Sequence, residues 1–282
     1  EHIIRNGTYR EKKKKKKEFT GNDDELYLHY LVKGLLDYKN EYGSIIRGIA
    51  ENQKETKKND KKFLSFKNGL STLIERIEEL LTDVTIIKGV QASKLEKAGN
   101  QYTIVCQNHS AISADYVVLS IPDTAAKRLL HDQELDVEFG SFKNSSLISI
   151  YLGFDLPDTK LPADGTGFIV SKNSDLLCNA CTWTSRKWPN TSANDRLLVR
   201  LFYKSSIPSY EKLDAMDEKQ LLEVALKDIE KALGFKETPI SVDITKWKNL
   251  MPNYTIAHPE SLRSLNDKLA KRYPNVLLAG CS

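Results

Sequence analysis

No Gly-x-Gly-x-x-Gly run occurs anywhere in the 282 residues. That turn is how a strand hands a dinucleotide pyrophosphate to a helix N-terminus. Gly165 and Gly167 are spaced G-x-G, but strand patterns surround them, so a hairpin turn is expected there. Cysteine is scarce, with four residues at positions 106, 178, 181 and 281. Cys178 and Cys181 form a CxxC, yet no second CxxC or histidine pair completes a metal site. In a strand, positions i and i+3 point to opposite faces, so reduced thiols packed in a sheet are expected and no metal. The five histidines are scattered at 2, 29, 109, 131 and 258. Neither a Ser-His-Asp nor a Cys-His arrangement is visible, so no catalytic side chain is named. No apolar stretch is long enough to span a membrane, and no secretory leader pattern is present. The chain therefore reads as cytoplasmic. No internal repeat is found.

The charge balance is mild, at +4 with a pI near 8.6. Much of the positive charge sits in Lys12 to Lys17, which reads as a solvated arm. Such an arm suits anionic lipid, as a peripheral membrane contact, or an acidic partner; nucleic acid is not expected. The length suits one large domain or two smaller ones.

Apolar periodicity gives the elements. Leu28, Leu31, Val32, Leu35 and Leu36 recur at helix spacing within Glu25 to Ala50, and a polar linker follows over Glu51 to Lys62. Phe63 to Pro122 reads as a compact α/β unit. Its parts are a helix striped by Leu70, Leu73, Ile74, Ile77, Leu80 and Leu81, a short strand Val84 to Ile87, and a strand Tyr102 to Cys106 after the turn Gly99-Asn100. Tyr116 to Ile121 is a β-branched-rich run of the kind buried on both faces in a layered sheet, and ligands bind beyond the end of such strands. Leu147 to Phe154, Gly167 to Val170, Leu177 to Thr184 and Leu197 to Tyr203 read as strands of an antiparallel or mixed sheet. Asp217 to Leu233 is an amphipathic helix with Asp217 as N-cap and Gly234 past its end. Val242 to Trp247 is a strand, Glu260 to Arg272 a helix, and Val276 to Ala279 a last short strand.

Several segments together carry a family resemblance. They are Gly43-Ser-Ile-Ile-Arg-Gly48, Phe66-Lys-Asn-Gly-Leu70, Asp115-Tyr-Val-Val-Leu-Ser-Ile-Pro122, Gly165-Thr-Gly-Phe-Ile-Val170, Cys181-Thr-Trp-Thr-Ser-Arg-Lys-Trp-Pro189, Trp247-Lys-Asn-Leu-Met-Pro-Asn-Tyr254 and Leu278-Ala-Gly-Cys-Ser282. In this order and spacing the chain from about Leu26 resembles the porphyrinogen oxidases of Gram-positive bacteria, within the flavin amine-oxidase-like group. The stretch around Trp183 is the most specific piece.

The resemblance implies an α/β (α+β) chain: part of a layered FAD-binding domain plus a substrate domain with a mixed or antiparallel sheet and helices. The implied division is an arm and helical part over 1–62, an FAD-domain segment over 63–127, a substrate-binding domain over 128–240 and an FAD-domain return over 241–282. It implies FAD as cofactor, a porphyrinogen as substrate and molecular oxygen as acceptor, giving porphyrin and hydrogen peroxide in haem biosynthesis. Coproporphyrinogen III and protoporphyrinogen IX both remain open as substrates. Ala92 falls where the family places a small residue whose backbone touches the adenine. Trp247 falls near the flavin, and Met251 follows on the same wall. His258 lies either near the flavin or in ordinary packing. Phe168 and Phe202 are expected to face the cavity for the flat macrocycle. Arg186, with Arg47 and Lys187, is a candidate partner for its carboxylates.

Measured against the family, the glycine-rich phosphate turn and the flavin loop that would continue from Gly280 to Ser282 are missing. The expected reading is a fragment or shortened form of the oxidase. The alternative is a non-catalytic tetrapyrrole-binding or interaction module without flavin. A phytoene desaturase or amine oxidase is disfavoured by the Cys-Thr-Trp-Thr and Gly-Thr-Gly-Phe segments. A sheet edge left without its central strand would favour self-association.

Overall fold

The computed structural model describes residues 3–5, 35–44, 46–48, 50–51, 65–171, 174–188 and 190–280. The Lys12 to Lys17 arm, most of the first expected helix, His2, His29, Cys281 and Ser282 lie outside the described residues. In chain order the elements are β1 (Ile3–Arg5), α1 (Leu35–Tyr42), α2 (Ser71–Leu80), β2 (Ala92–Ala98), β3 (Gln101–Cys106), β4 (Ile112–Ala114) and β5 (Val117–Leu119). Then come α3 (Asp123–Leu130), α4 (Gln133–Phe139), β6 (Lys143–Pro157), β7 (Gly167–Val170), β8 (Ala180–Trp183), α5 (Thr184–Lys187) and β9 (Arg196–Lys204). The last are α6 (Tyr210–Asp214), α7 (Glu218–Leu233), β10 (Ser241–Asn253), α8 (His258–Arg272) and β11 (Val276–Leu278). Helices and strands mix as expected of an α/β (α+β) chain.

Contacts divide the chain into two units. The first takes the described residues among 1–24, 28–82 and 145–251, and the second those among 83–144 and 252–282. The first is built on a six-stranded sheet in the order β1-β7-β8-β9-β6-β10. β9 alternates strictly: Leu197, Val199, Leu201 and Tyr203 are buried, while the residues between them are half-buried. Their antiparallel partners on β6 are Phe154, Leu152, Ile150 and Ile148, all buried as well. Cross-strand partners share a face, so one side of the sheet is continuously apolar.

Helix α7 covers that side with Leu221, Ala225 and Ile229, which join the same core. Each fully buried Leu or Ile side chain there contributes about 1.5–3 kcal/mol. The ends of α7 are fixed by local chemistry. Asp217 and Gln220 form a reciprocal capping box, and Gly234 closes the helix in a left-handed conformation at φ 79°. Gly167 sets the approach of β7 to β8. It sits at φ 150°, and a β-carbon there would lie 2.2 Å from the Cys181 carbonyl oxygen. A side chain has no room against that backbone.

A buried carboxylate ties α7 to the loop before β8. Asp228 accepts from the Cys178 backbone N–H at 2.8 Å, the Leu177 N–H at 3.1 Å and the Tyr203 hydroxyl at 3.1 Å. Burial pushes its carboxyl above the ordinary range, against the pull of those donors. Cys178 and Cys181 are free thiols buried in this same core. The expectation that they point to opposite faces does not hold, because Cys178 precedes β8 and escapes strand alternation. Burial pushes both thiols well up, so neither is a ready thiolate.

The second unit contains a three-stranded meander, β2-β3-β4, and a parallel pair, β5 with β11. Leu119, Leu130, Leu135, Leu265, Leu269 and Val276 form its core. Asp132 begins α4, accepting from the N–H groups of Glu134 and Leu135 at 3.0 and 3.3 Å. It also receives the Arg272 Nε at 2.7 Å and the Tyr273 hydroxyl at 3.1 Å. Burial acts to raise this carboxyl, but these donors together outweigh burial and hold it below the usual range.

Three expected features differ. Val84 to Ile87 forms no strand, and Val84, Ile86 and Ile87 are exposed. An apolar run of that length becomes a strand only where a partner supplies its hydrogen bonds. Tyr116 to Ile121 yields only the three-residue β5, paired among the described residues with β11 alone; Tyr116 and Val118 are 73% and 60% exposed. It is thus not a strand buried on both faces. Helix α2 forms, but no residue on it is buried, so its apolar stripe is a helix signal without a covering layer. The sequence reading also passed over α3 and α4, although Asp132 is an ordinary N-cap signal.

Two carboxylates therefore give opposite pH dependences. Asp228→Ala strands two N–H groups and a hydroxyl, and is expected to cost about 3 kcal/mol in chemical denaturation. A raised folded pKa means that stability contributed at Asp228 grows as pH falls through that pKa toward the unfolded value. The wild type should gain relative to Asp228→Asn in mild acid; an unchanged difference would refute the burial argument. At Asp132 the sign reverses, since its folded pKa is depressed. Asp132→Asn should cost about 2 kcal/mol near neutral pH, and that deficit should shrink as pH falls through the depressed folded pKa.

Candidate functional site

The face of the six-stranded sheet opposite α7 is where polar and aromatic side chains gather. Pleating places Leu198, Arg200, Phe202 and Lys204 of β9 on it, alternating with the core residues. The register sets Tyr151 of β6 opposite Arg200, and Ser149 opposite Phe202. On the other flank, β8 sets Thr182 opposite Arg200 and Ala180 opposite Phe202. From β10, the Trp247 indole N–H reaches the Ser149 hydroxyl at 3.4 Å, a long and weak bond. The result is a wall with large aromatic surfaces and a cation at its middle.

Arg200 is that cation. Its guanidinium carbon lies 4.8 Å from the Tyr151 ring centre and 4.6 Å from that of Phe202. Its Nε is buried and has no hydrogen-bond partner. The sequence reading missed Arg200 and Tyr151. The signal was a cation midway along an otherwise apolar strand, in phase with Phe202.

The expected site residues fall in different surroundings. Phe202 lies on the aromatic wall. Phe168 is buried in the core on the α7 side, because its partner is Cys181 and Cys181 in turn pairs with Leu201. Trp247 is 40% exposed on β10 and offers a ring face. Met251, on the same strand, has an exposed side chain, and its carbonyl accepts from the Ser145 hydroxyl at 3.2 Å. Ala92 opens β2 beside a register shift, in the second unit, and is exposed.

Arg186 is engaged internally. Its Nε donates to Asp158 Oδ2 at 2.8 Å, its Nη2 to the Asp158 carbonyl at 2.9 Å, and its Nη1 to the Pro162 carbonyl. The guanidinium also sits 5.1 Å from the ring centre of Trp183, which is fully buried. The conspicuous Trp183 segment is thus core and its lock. Arg47 is exposed, with its backbone N–H on the Ser44 hydroxyl, and Lys187 lies over the Trp188 ring at 5.6 Å.

In the second unit, an apolar recess opens beyond the C-terminal ends of β5 and β11. Leu119, Ile121, Phe139, Phe142 and Leu278 line it, with Asp123 at its wall. Both Asp123 oxygens accept from the Asn144 amide at 2.9 Å. The end of a parallel pair is where such sheets place ligands. His258 is buried between the rings of Phe142 and Tyr254, at 5.3 and 5.1 Å, and burial lowers its pKa. Among the described residues no cluster of His, Cys, Asp and Glu suits a metal ion, and no helix is long and apolar enough to cross a membrane.

Comparison with known proteins gives a consistent group. The chain is 27% identical over 270 residues to the coproporphyrinogen III oxidase of Bacillus subtilis, covering 94% of this chain and 57% of that protein. It is 25% identical over 269 residues to the enzyme of the same name from Staphylococcus aureus, covering 92% and 57%. A crystal structure of an Exiguobacterium protein described as a protoporphyrinogen oxidase superposes with a TM-score of 0.79 at 28% identity, over 93% of this chain and 56% of the other. The chain thus spans a little over half the length of the relatives it matches. The family model for flavin-containing amine oxidoreductases matches residues 2–282, and the chain belongs to that family.

Proposed function

We propose that this chain carries the substrate-binding sheet, and part of the flavin-binding domain, of an FAD-dependent, oxygen-using porphyrinogen oxidase. The substrate would be coproporphyrinogen III or protoporphyrinogen IX. The observation that carries this reading is the aromatic wall of Tyr151, Phe202 and Trp247 in a chain whose relatives are porphyrinogen oxidases. A tetrapyrrole is a broad apolar disc, and a sheet face with aromatic side chains offers it stacking area.

The residues present fit a flavin in part. Trp247 and Met251 expose apolar surface that could pack on a ring edge, and Ala92 leaves its backbone approachable. A glycine turn for the pyrophosphate is absent from the 282 residues. When bound, flavin would supply the two-electron oxidation, with molecular oxygen as acceptor. The chain's own contribution is to seat the macrocycle and keep water from its face. We place the second unit, with residues 83–144 and 252–282, on the flavin side and the sheet residues 145–251 on the substrate side, which moves the expected boundaries at 127 and 241 to follow the sheet.

The test uses the purified 282-residue chain. Coproporphyrin III should bind it with a shifted Soret band, while the chain should purify without stoichiometric flavin. Absence of any porphyrin binding would refute the reading. Turnover of coproporphyrinogen III on adding FAD under air would assign catalysis to the chain itself. Binding without turnover would favour the non-catalytic tetrapyrrole module.

A further inference from the structure

We infer that Arg200 is the carboxylate anchor of the aromatic wall, receiving one acid group of a flat polycarboxylate ligand. The inference rests on the functional reading above and names the recognising group within it. Arg200 differs from other cations on or beside its sheet. Arg186 is consumed by Asp158 and Pro162, Arg196 pairs with Asp155 at 2.9 Å, and Lys246 donates to the carbonyls of Asp214 and Met216 at 2.6 and 2.9 Å. Arg200 has aromatic neighbours instead of an acid, and no carboxylate pairs with it among the described residues.

The bland alternative is a guanidinium that merely packs between rings. Packing alone leaves the buried Nε without an acceptor, a cost of about 1–3 kcal/mol for a polar group. A carboxylate on the terminal nitrogens of the guanidinium would supply the charged acceptor that packing between rings does not. The rings of Tyr151 and Phe202 also hold the guanidinium in place beforehand, so little side-chain freedom is lost on binding.

The local charge agrees in sign. The residues of β9 on this face include Arg200 and Lys204, with Arg196 offset by Asp155, and no acid. Their cross-strand neighbours on β6 and β8, namely Leu147, Ser149, Tyr151, Gly153, Ala180 and Thr182, are all uncharged. An anion approaching Arg200 therefore meets no acid at the positions directly across from it, and Asp155, farther along β6, is already paired with Arg196. Tyr151, Phe202 and Trp247 supply flat apolar area beside it. That combination selects a planar ligand with acid side chains over a neutral one of the same shape.

The experiment compares coproporphyrin III with its tetramethyl ester, by Soret titration in one cosolvent, on the unmodified chain and on Arg200→Gln and Arg200→Lys. The unmodified chain should prefer the free acid by roughly tenfold or more, as a charge-assisted bidentate contact warrants. Arg200→Gln should lose that preference and keep its affinity for the ester, while Arg200→Lys should recover only part of it. Thermal melting checks that each variant is folded. Should Arg200→Gln fail to fold, the acid-over-ester ratio of the unmodified chain decides, and a ratio near one overturns the inference. Equal affinities of the folded variant and the unmodified chain for the acid overturn it too, leaving the functional reading intact. Failure of the unmodified chain to bind either porphyrin overturns both.

Discussion

The alternation of β9 is the constraint on which the rest of the first unit depends. Nine residues switch faces at every step, and two antiparallel neighbours copy the phase. One face receives Leu197, Val199, Leu201 and Tyr203 and is sealed by α7. The other receives Leu198, Arg200 and Phe202. A slip of one residue would carry Arg200 into the apolar core and bring Leu201 out. Core packing therefore fixes the position of the cation, and no separate device is needed to aim it.

The sealed face also explains why its polar groups are inert. Asp228 has three donors, the two thiols are buried, and burial pushes the Tyr203 hydroxyl up. These groups hold the loop before β8 against α7. That loop leads directly into Ala180 and Thr182, which flank Phe202 and Arg200 on the opposite side. The buried polar groups and the Arg200 wall thus share one short stretch of chain.

Much of this was legible from period and punctuation. Gly167 to Val170 and Leu197 to Tyr203 are apolar runs of strand length, and Asp217 with Gly234 bracket α7 as its caps. What failed required knowledge of partners. Val84 to Ile87 and Tyr116 to Ile121 have the composition of buried strands, yet burial depends on neighbours that a local pattern does not specify. The directions of Phe168 and Phe202 depend on register across β7, β8 and β9, so two phenylalanines expected on one cavity lie on opposite faces. Arg186 stood out because it belongs to a distinctive segment, yet its donors serve Asp158 and Pro162. Arg200 passed unnoticed because a lone cation in a strand becomes meaningful only once Tyr151 is known to lie across from it.

The account turns on which face of the sheet holds a planar guest. A crystal structure of the chain grown with coproporphyrin III is the most direct measurement. The macrocycle should lie on the side of Tyr151, Phe202 and Trp247, with one of its carboxylates on the Arg200 guanidinium. A macrocycle bound elsewhere, or a wall closed over by the chain's own side chains with no room for a disc, would contradict it.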